Sequence, residues 1–264
     1  MSTHTNKGTA LITGASSGIG AVYADRFARR GYDLILVARD RQRLDSLATK
    51  LAAATGRKVD VIQADLSQSA DVAKVEARLA SDASITALVN NAGLGATASL
   101  IDSTPESLEQ MIALNVVALT RLARAAAARF VVRGNGVIVN ISSIVALAPE
   151  LLNGVYSGTK AFVLNLTQSL HHEVGAKGVQ VQAVLPGAIA TPFWNAAGLP
   201  VEHLPSEIVM QADELVDASL AGLDQGELVT IPSLPDVEQW NAFAAARLAM
   251  GNNLSRQHAA PRYK

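Results

Sequence analysis

Cysteine is absent from the 264-residue sequence. Its absence excludes disulfide bonds, thiolate nucleophiles and cysteine-ligated metal sites, and is typical of a reducing compartment. Aromatic residues make up only 4% of the chain and charged residues 17%, whereas hydrophobic residues make up 49%. The formal net charge of -1 provides no basic excess for nucleic acid. This balance predicts a soluble, enzyme-sized fold with a large core and no nucleic-acid partner.

Long apolar runs and metal-ligand patterns are also missing. No apolar run reaches the roughly 18 to 20 residues of a membrane span. The polar start, MSTHTNKG, has no apolar segment of a secretory signal. There is no H-x-x-x-H pattern and no carboxylate cluster, so we predict no catalytic metal. We expect a cytoplasmic protein that does not bind a membrane.

Short apolar, β-branched runs alternate with amphipathic stretches along most of the chain. The runs predict strands at 9–13, 33–38, 58–63, 87–90, 136–141, 179–185 and 228–231. The stretches between them predict helices near 18–30, 41–54, 68–80, 105–132, 155–175 and 211–223. This alternation predicts a single-domain α/β Rossmann fold, with a doubly wound, mostly parallel seven-stranded sheet and helices on both faces.

Two regions depart from the strand and helix alternation. Residues 187–210 are rich in proline and large apolar residues, and we interpret them as a substrate lid within a catalytic domain at 1–232. Residues 233–264 carry one more helical pattern near 236–249 and a polar end. We expect this tail to pack on the domain or at a subunit interface.

A glycine-rich turn follows the first predicted strand. In TGASSGIG, Gly14, Gly18 and Gly20 form a G-x-x-x-G-x-G pattern. Without Cβ atoms the turn folds tightly, and its backbone N–H groups can approach a pyrophosphate at the helix N-terminus. No Gly-Lys-Ser/Thr follows, which excludes a Walker A loop. The pattern indicates a dinucleotide, although glycines also occur in ordinary strand-to-helix turns.

The end of the second predicted strand bears on which dinucleotide is bound. Arg39 directly follows Ala38, and a guanidinium there suits the 2′-phosphate of NADP. Asp40 is the next residue, and a carboxylate can accept hydrogen bonds from the ribose hydroxyls of NAD. Arg39 and Arg43 can also be solvated charges at the start of a helix. We predict NADP, with NAD as the alternative.

The segment YSGTK places a phenol and an ammonium four residues apart. Tyr156 and Lys160 therefore share one helix face. A nearby ammonium lowers the pKa of a phenol from its ordinary value of about 10 and favours acid/base chemistry. Ser143, thirteen residues before Tyr156, offers a hydroxyl to hold a substrate oxygen. We predict proton transfer to or from a carbonyl or alcohol oxygen.

The order and spacing of these motifs resemble the short-chain dehydrogenase/reductase family, in its NADP-preferring form. The resemblance covers roughly residues 8 to 193 and rests on TGASSGIG, ADL with Asp65, NNAG at 90–93, Asn115 in ALNVVAL, ISS ending in Ser143, YSGTK and PGAIATPF at 186–193. It implies an oxidoreductase that transfers a hydride between NADP(H) and a carbonyl or secondary alcohol. It also implies a homodimer or homotetramer.

The resemblance implies roles for individual positions. Tyr156 is the acid/base, Lys160 lowers its pKa and hydrogen-bonds the nicotinamide ribose, Ser143 orients the substrate oxygen, and Asn115 holds a water of the proton relay. The implied cofactor-binding residues are Gly14, Ser16, Ser17, Gly18, Ile19, Gly20, Arg39, Asp65, Leu66, Asn91, Ala92, Gly93, Tyr156, Lys160, Pro186, Gly187, Ile189 and Thr191. Ser17 stands where many NADP-binding members carry a second basic residue, so the prediction of NADP over NAD rests mainly on Arg39.

Two other functions are weighed against this one. A non-catalytic NADP-binding regulator on the same fold has no need for the proton-transfer set of Ser143, Tyr156 and Lys160. A serine hydrolase would use Ser157 and Lys160 of a Ser-x-x-Lys match, but its companion motifs are absent. The oxidoreductase is therefore favoured.

The residues expected to face the substrate are apolar. Leu147 precedes the catalytic tyrosine, and Phe193 and Trp194 lie in the predicted lid. An acidic substrate would find no basic partner among them, so we predict an apolar small molecule. The same side chains can also simply close the core over the cofactor.

Overall fold

The computed structural model describes residues 7–264, so most of the polar start on which the absence of a signal was predicted lies outside it. The chain divides into two compact units, one ending at Pro232 and the other spanning Ser233–Lys264. The first unit holds the sheet and the second holds one helix and short helical turns.

Nine strands are present in the described residues. They are β1 (Thr9–Thr13), β2 (Asp33–Ala38), β3 (Val59–Gln63), β4 (Ile85–Asn90), β5 (Gly136–Ile141), β6 (Val179–Val184), β7 (Ala188–Ala190), β8 (Val209–Gln211) and β9 (Val229–Thr230). Seven form one parallel sheet in the order β3-β2-β1-β4-β5-β6-β9. The order reverses between β1 and β4, and ligands bind such sheets at this crevice. The predicted fold class is confirmed.

The central strands are apolar because both faces of the sheet are covered. Along β2, Leu34 and Leu36 contribute to one hydrophobic cluster, and Ile35 and Val37 contribute to a second. Successive side chains of a strand point to opposite faces, so the two clusters lie on opposite sides of the sheet. A strand buried on both faces has no polar alternation, which is why these runs are continuously apolar.

Nine α-helices are present in residues 7–264. They are α1 (Gly18–Arg29), α2 (Arg41–Thr55), α3 (Ser69–Ser81), α4 (Pro105–Ile112), α5 (Leu119–Arg133), α6 (Gly154–Val174), α7 (Phe193–Ala197), α8 (Ala212–Asp224) and α9 (Val237–Ala249). The glycine C′ positions that close α2 and α5 are Gly56 and Gly134, with φ of 68° and 75°. These are left-handed conformations, which glycine adopts without a Cβ penalty.

The predicted single helix at 105–132 is interrupted. Between α4 and α5 the backbone of Ala113–Ala118 forms a π-helix, with Asn115 buried inside it. Single-turn π-bulges occur mostly at functional sites. The whole segment Pro105–Arg133 has the length and apolar composition to cross a membrane, but 44% of its most apolar window is buried in the fold, and soluble core helices pass the same test.

The predicted lid contains regular structure that the sequence pattern did not indicate. Its two ends, β7 and β8, pair in parallel as a two-stranded sheet that begins with Ala188 opposite Val209. The short helix α7 lies between them. Strands of three residues are too short to show periodicity, so no strand was predicted here. The pairing ties both ends of the lid together.

The C-terminal unit contains α9 and two 3-10 turns at Gly251–Asn253 and Pro261–Tyr263. The Asp236 side chain caps α9 by accepting a hydrogen bond from the Glu238 N–H. Trp240 and Phe243 stack along it with ring centroids 5.5 Å apart. No residue of α9 is buried.

Candidate active site

A cavity of about 770 Å³ lies at the carboxyl ends of the central strands. Its walls come from the loops after β1, β2, β4 and β5 and from the lid. Most of the predicted site residues line it; Gly20, Asn115 and Leu147 are outside its lining. Ligand pockets of this kind fall within about 300 to 1,000 Å³.

The glycine turn forms a cradle that side chains would fill. Gly14 and Gly18 have φ of 65° and 53°, which L-residues with side chains rarely adopt. A Cβ on Gly14 would stand 2.7 Å from the Asn91 Nδ2 atom, and one on Gly20 would overlap the Gly14 carbonyl oxygen. The turn opens onto the N-terminus of α1, where backbone N–H groups favour an anion. These residues fit a dinucleotide pyrophosphate.

The side-chain amide of Asn91, which also lines the cavity, supports this turn. Its Nδ2 donates to the carbonyl oxygens of Thr13 and Gly14 at 3.0 and 3.2 Å. The backbone N–H groups of Asn91 and Ala92 both donate to the Thr13 hydroxyl at 3.0 Å. The NNAG segment thereby fixes the loop after β4 against the loop after β1.

The two charged residues that follow β2, Arg39 and Asp40, have different surroundings. The Asp40 carboxylate accepts from the Arg43 N–H at 3.0 Å as the N-cap of α2, and it pairs with the Arg43 guanidinium at 3.2 Å. Within residues 7–264 no carboxylate lies within ion-pair distance of the exposed Arg39, whose side chain lines the cavity. Asp40 is thus engaged by its own helix, and Arg39 is the cation that can meet a phosphate.

Helix α6 presents Tyr156 and Lys160 to the cavity. Its N-cap is Asn153, whose Oδ1 accepts from the Val155 N–H at 2.9 Å and the Tyr156 N–H at 3.2 Å. The Asn153 Nδ2 also donates to the Ala98 carbonyl at 2.6 Å. The cap therefore fixes the first turn of α6, which carries the phenol, to the loop after β4.

Ser143 meets the phenol at the end of β5. Its hydroxyl forms a hydrogen bond with the Tyr156 side chain, and it also donates to the Pro186 carbonyl at 3.4 Å. The neighbouring Ser142 hydroxyl is turned to α6, where it donates to the Lys160 carbonyl at 2.7 Å. Ser143, and not Ser142, is the serine that shares the phenol's surroundings.

The predicted lowering of the Tyr156 pKa is not what this arrangement produces. Burial raises the pKa of Tyr156 to about 12, and the hydrogen bond from Ser143 opposes this rise only in part. Burial also lowers the pKa of Lys160 to about 8. The Lys160 ammonium lies 5.7 Å from the Tyr156 ring centroid and donates to the Ile141 carbonyl at 3.0 Å. Desolvation outweighs the attraction between ammonium and phenolate because both groups are removed from water.

Asn115 acts on the loop after β4. Its Oδ1 accepts from the Leu94 N–H, and its Nδ2 donates to the Leu94 carbonyl, both at 2.8 Å. The Nδ2 also donates to the Thr159 hydroxyl at 3.1 Å, which joins the π-helix to α6. A Cβ on Gly93 would stand 3.2 Å from Asn115 Oδ1 and 3.5 Å from Lys160 Nζ. The Asn115 side chain is thus committed to protein partners close to Lys160.

The substrate end of the cavity is apolar, as the sequence predicted. The three residues predicted to line it differ in their positions. Phe193 lines it beside Tyr156, whereas Trp194 lines it with a buried indole whose N–H donates to the Ile189 carbonyl at 2.9 Å. Leu147 does not line the cavity and is 39% exposed, because the 3-10 turn at Ile144–Ala146 directs the following residue outward. The lining at this end also includes Leu94, Val145, Leu151, Leu152, Leu199, Leu204 and Ile208.

Three functional contributors were missed by the sequence analysis. Asn153 directly precedes α6, and a cap signal could have identified it. Thr159 lies inside YSGTK, but its bond to Asn115 depends on a distant segment. Gly95 contacts the Phe193 ring, and no local pattern predicts that approach.

The arrangement defines a class of protein: a doubly wound α/β fold with a glycine cradle, a buried tyrosine and lysine on one helix face, and an apolar chamber. Within residues 7–264 no cluster of three or more His, Asp or Glu side chains could hold a metal ion. The family model for short chain dehydrogenase matches residues 8–200, and the chain belongs to this family.

The curated proteins similar to this chain include a hydroxysteroid dehydrogenase and an oxoacyl-CoA reductase. The chain is 33% identical over 214 residues to 17-beta-hydroxysteroid dehydrogenase type 3 of Homo sapiens, covering 80% of this chain and 66% of that protein. It is 34% identical over 187 residues to very-long-chain 3-oxoacyl-CoA reductase of Anas platyrhynchos, covering 69% and 60%. The chain thus matches at most about two thirds of the lengths of these relatives.

Solved structures match nearly the whole chain. A short-chain dehydrogenase from Sphingobium yanoikuyae in complex with NADPH is 52% identical, with a TM-score of 0.95 over 97% of this chain and 100% of that one. A bulky-bulky ketone specific alcohol dehydrogenase from Comamonas testosteroni is 51% identical, with a TM-score of 0.91 over 98% and 99%.

Proposed function

We propose that this protein is an NADP(H)-dependent oxidoreductase that interconverts an apolar ketone and the corresponding secondary alcohol. The observation that carries the proposal is the meeting of Tyr156, Ser143 and Lys160 in the cavity that also contains the glycine cradle. The family and the alcohol dehydrogenase from Comamonas testosteroni support the reaction class.

The chemistry divides between the cofactor and the side chains. NADPH, when bound, supplies a hydride to the carbonyl carbon. The Ser143 hydroxyl orients the carbonyl oxygen, and the neutral Tyr156 phenol donates its proton to that oxygen. Lys160, four residues along α6, would hold the nicotinamide ribose and would help to return a proton to Tyr156. In the reverse reaction the Tyr156 phenolate would accept the alcohol proton, and the hydride would pass to NADP+.

NADP is the proposed cofactor because Arg39 is available and Asp40 is not. Asp40 caps α2 and pairs with Arg43, so the ribose hydroxyl acceptor expected of an NAD site is already engaged. A guanidinium gains charge-assisted hydrogen bonds from a 2′-phosphate that a hydroxyl does not match. The NADPH complex of the Sphingobium yanoikuyae relative supports this choice.

The proposed substrate is a ketone with bulky apolar groups. The substrate end of the cavity is lined by leucines, isoleucine and Phe193, with no Lys or Arg besides Lys160. A buried carboxylate or phosphate would lack a partner there and would be costly to desolvate. The bulky-bulky ketone specificity of the Comamonas testosteroni enzyme supports the same substrate class.

Two other functions have less support. A non-catalytic NADP-binding regulator would not need the buried Ser143, Tyr156 and Lys160 set, whose desolvation is costly. For a serine hydrolase, the Ser157 hydroxyl would be the nucleophile, but it donates to the Pro149 carbonyl at 3.2 Å and is outside the cavity lining.

The proposal also extends to the whole chain. We propose a cytoplasmic homodimer or homotetramer, with 1–232 as the catalytic domain and 233–264 as a tail at the domain surface or a subunit interface. One large apolar side chain is exposed on each of α5 and α6, Val132 and Phe162, and these support subunit contacts through the two helices.

The test is oxidation of NADPH and NADH, followed at 340 nm, with a panel of aliphatic, aryl and charged carbonyl compounds. We expect turnover of apolar ketones with NADPH and much slower turnover with NADH. Turnover restricted to carboxylated or phosphorylated substrates would contradict the substrate class, and the absence of any NADPH oxidation would contradict the reaction.

A further inference from the structure

Phe193, the first residue of α7, packs directly on the catalytic tyrosine. The ring centroids of Phe193 and Tyr156 are 6.0 Å apart, with the rings tilted by 44°. Phe193 belongs to the small apolar cluster built on Met111, Val145 and Tyr156. Its ring therefore bounds the chamber at the place where a substrate oxygen must approach the phenol.

Gly95 provides the space that this ring occupies. A Cβ built on Gly95 would overlap the Phe193 Cζ atom and stand 3.0 and 3.1 Å from its Cε1 and Cε2 atoms. Any side chain at position 95 would thus displace the ring. Gly95 has an ordinary negative φ, so the glycine is required by this close approach and not by the backbone conformation.

Two further contacts fix the ring in place. Trp194 meets Phe193 edge to face at 5.8 Å, and its indole is itself anchored to the Ile189 carbonyl. The loop that carries Gly95 is joined to α7 at Thr97, whose N–H and hydroxyl donate to the Ala197 carbonyl at 3.1 and 2.8 Å. The loop and the helix therefore hold Gly95 and Phe193 at a set spacing.

We propose that the Gly95–Phe193 pair sets the size limit of the ketone substituent that lies beside Tyr156. Phe193 is the specificity-determining residue, and Gly95 is a positioning residue that keeps the ring seated. The inference rests on the proposed ketone reduction. It adds that Phe193 determines whether small or large ketones are preferred. Leu151 also lines the cavity, but it does not belong to the apolar cluster that contains Tyr156 and Phe193.

The experiment compares acetophenone with butyrophenone, which differ only in a methyl against a propyl group. Phe193→Ala should raise the kcat/KM ratio of butyrophenone to acetophenone by about 10-fold or more, the discrimination that a few methylenes supply in an apolar pocket. Leu151→Ala, which trims an aliphatic side chain elsewhere in the same cavity, is the control. An unchanged ratio in Phe193→Ala, or an equal rise in Leu151→Ala, overturns the proposal.

Gly95 is tested by a double-mutant cycle. Gly95→Ala should displace the ring and change the ratio, whereas adding Gly95→Ala to Phe193→Ala should have little further effect, because no ring remains to be displaced. Phe193→Leu provides a second, more conservative variant if the alanine variant does not fold. Independent, additive effects of the two substitutions would show that the pair does not act as a unit.

Binding distinguishes this inference from the reaction itself. Calorimetry on the protein saturated with NADP+, which supplies no hydride, gives dissociation constants for both ketones without turnover. A shifted ratio of these constants in Phe193→Ala, without ketone reduction by the unmodified protein, supports the size limit and contradicts the proposed reaction. Reduction with an unshifted ratio contradicts the size limit alone.

Discussion

Tyr156 is a buried phenol whose surroundings favour the protonated form. Burial raises its pKa to about 12, while the pKa of Lys160 falls to about 8 for the same reason. A neutral phenol is the form that can donate a proton to a carbonyl oxygen, as the proposed ketone reduction requires. Oxidation requires the phenolate, and a nearby positive charge would have to stabilise that form by lowering the pKa of Tyr156.

Tyr156→Phe removes the proposed acid without changing the shape of the ring. Turnover of any ketone should fall by at least about 100-fold, since general acid catalysis contributes that much or more. NADPH affinity, measured by fluorescence titration, should change little. Tyr23→Phe is the matched control, because Tyr23 is fully buried and bonds Ser219 outside the cavity. Full activity in Tyr156→Phe would exclude the phenol as the acid.

Lys160 makes a testable contribution to stability at alkaline pH. Its folded pKa of about 8 lies below the ordinary lysine value of about 10.4. Between these values the unfolded chain holds a proton that the folded chain has released, so the free energy of unfolding rises with pH. Relative to Lys160→Met, the unmodified protein should gain up to about 1.4 kcal/mol per pH unit from about pH 8 to about pH 10. Urea denaturation measures the difference, and a pH-independent difference would contradict the buried, depressed lysine.

Arg39 is the residue on which the choice of cofactor depends. Arg39→Asp should invert the preference from NADPH to NADH, because a carboxylate repels the 2′-phosphate and accepts hydrogen bonds from a ribose hydroxyl. The ratio of kcat/KM for the two cofactors measures the effect. Arg41→Asp makes the same charge change two residues on, outside the cavity lining, and should leave the ratio unchanged. If the NADPH to NADH ratio of kcat/KM were the same in both variants, Arg39 would not determine the cofactor preference.

At the scale of elements, α6 depends on contacts with segments distant in sequence. Its cap, Asn153, bonds the loop after β4, and Thr159 bonds Asn115 in the π-helix. Ser142 fixes the end of β5 to the Lys160 carbonyl. Three neighbouring segments therefore hold the part of α6 that carries Tyr156 and Lys160, the proposed catalytic side chains.

Asn153→Ala should show this dependence in stability and in catalysis. Loss of the cap should lower the free energy of unfolding by about 1 to 2 kcal/mol, measured by urea denaturation. The value of kcat should also fall, because the first turn of α6 carries Tyr156. Asp236→Ala removes the exposed cap of α9 and should cost less stability, with no change in kcat. An unchanged kcat in Asn153→Ala would show that the cap is not needed to position Tyr156 for catalysis.

At the scale of the whole molecule, large apolar side chains remain exposed on two helices of the sheet-containing unit. Val132 on α5 is 83% exposed, and Phe162 on α6 is 38% exposed. Isolated exposed apolar residues are common, but exposed apolar side chains on two neighbouring helices are consistent with association. The proposed dimer or tetramer would cover them.

Light scattering at micromolar concentration tests the assembly. We expect a mass of two or four chains, and a shift toward one chain in Phe162→Glu, because an interface core does not accept an unpaired charge. Ile101→Glu, at an exposed position in the loop before α4, should keep the assembly. A single-chain mass for the unmodified protein would contradict the oligomer.

The sequence predicted the elements of the fold well because their signals are local. The strand at 33–38 was found at its observed bounds, since a doubly buried strand is continuously apolar over its length. The helix at 105–132 was predicted without its π-helix, in which Asn115 bonds Leu94, a residue far from it in sequence. The lid strands were missed because three residues carry no period.

By itself, the sequence determined the fold class, the glycine cradle and the pairing of Tyr156 with Lys160, because short-range spacing governs each of them. Only the tertiary structure decided that Asp40 is engaged by Arg43, that burial raises the Tyr156 pKa, and that Leu147 is outside the cavity. It also placed Phe193 on Gly95. Desolvation and close packing depend on atoms from distant segments, and no local pattern records which segments will meet.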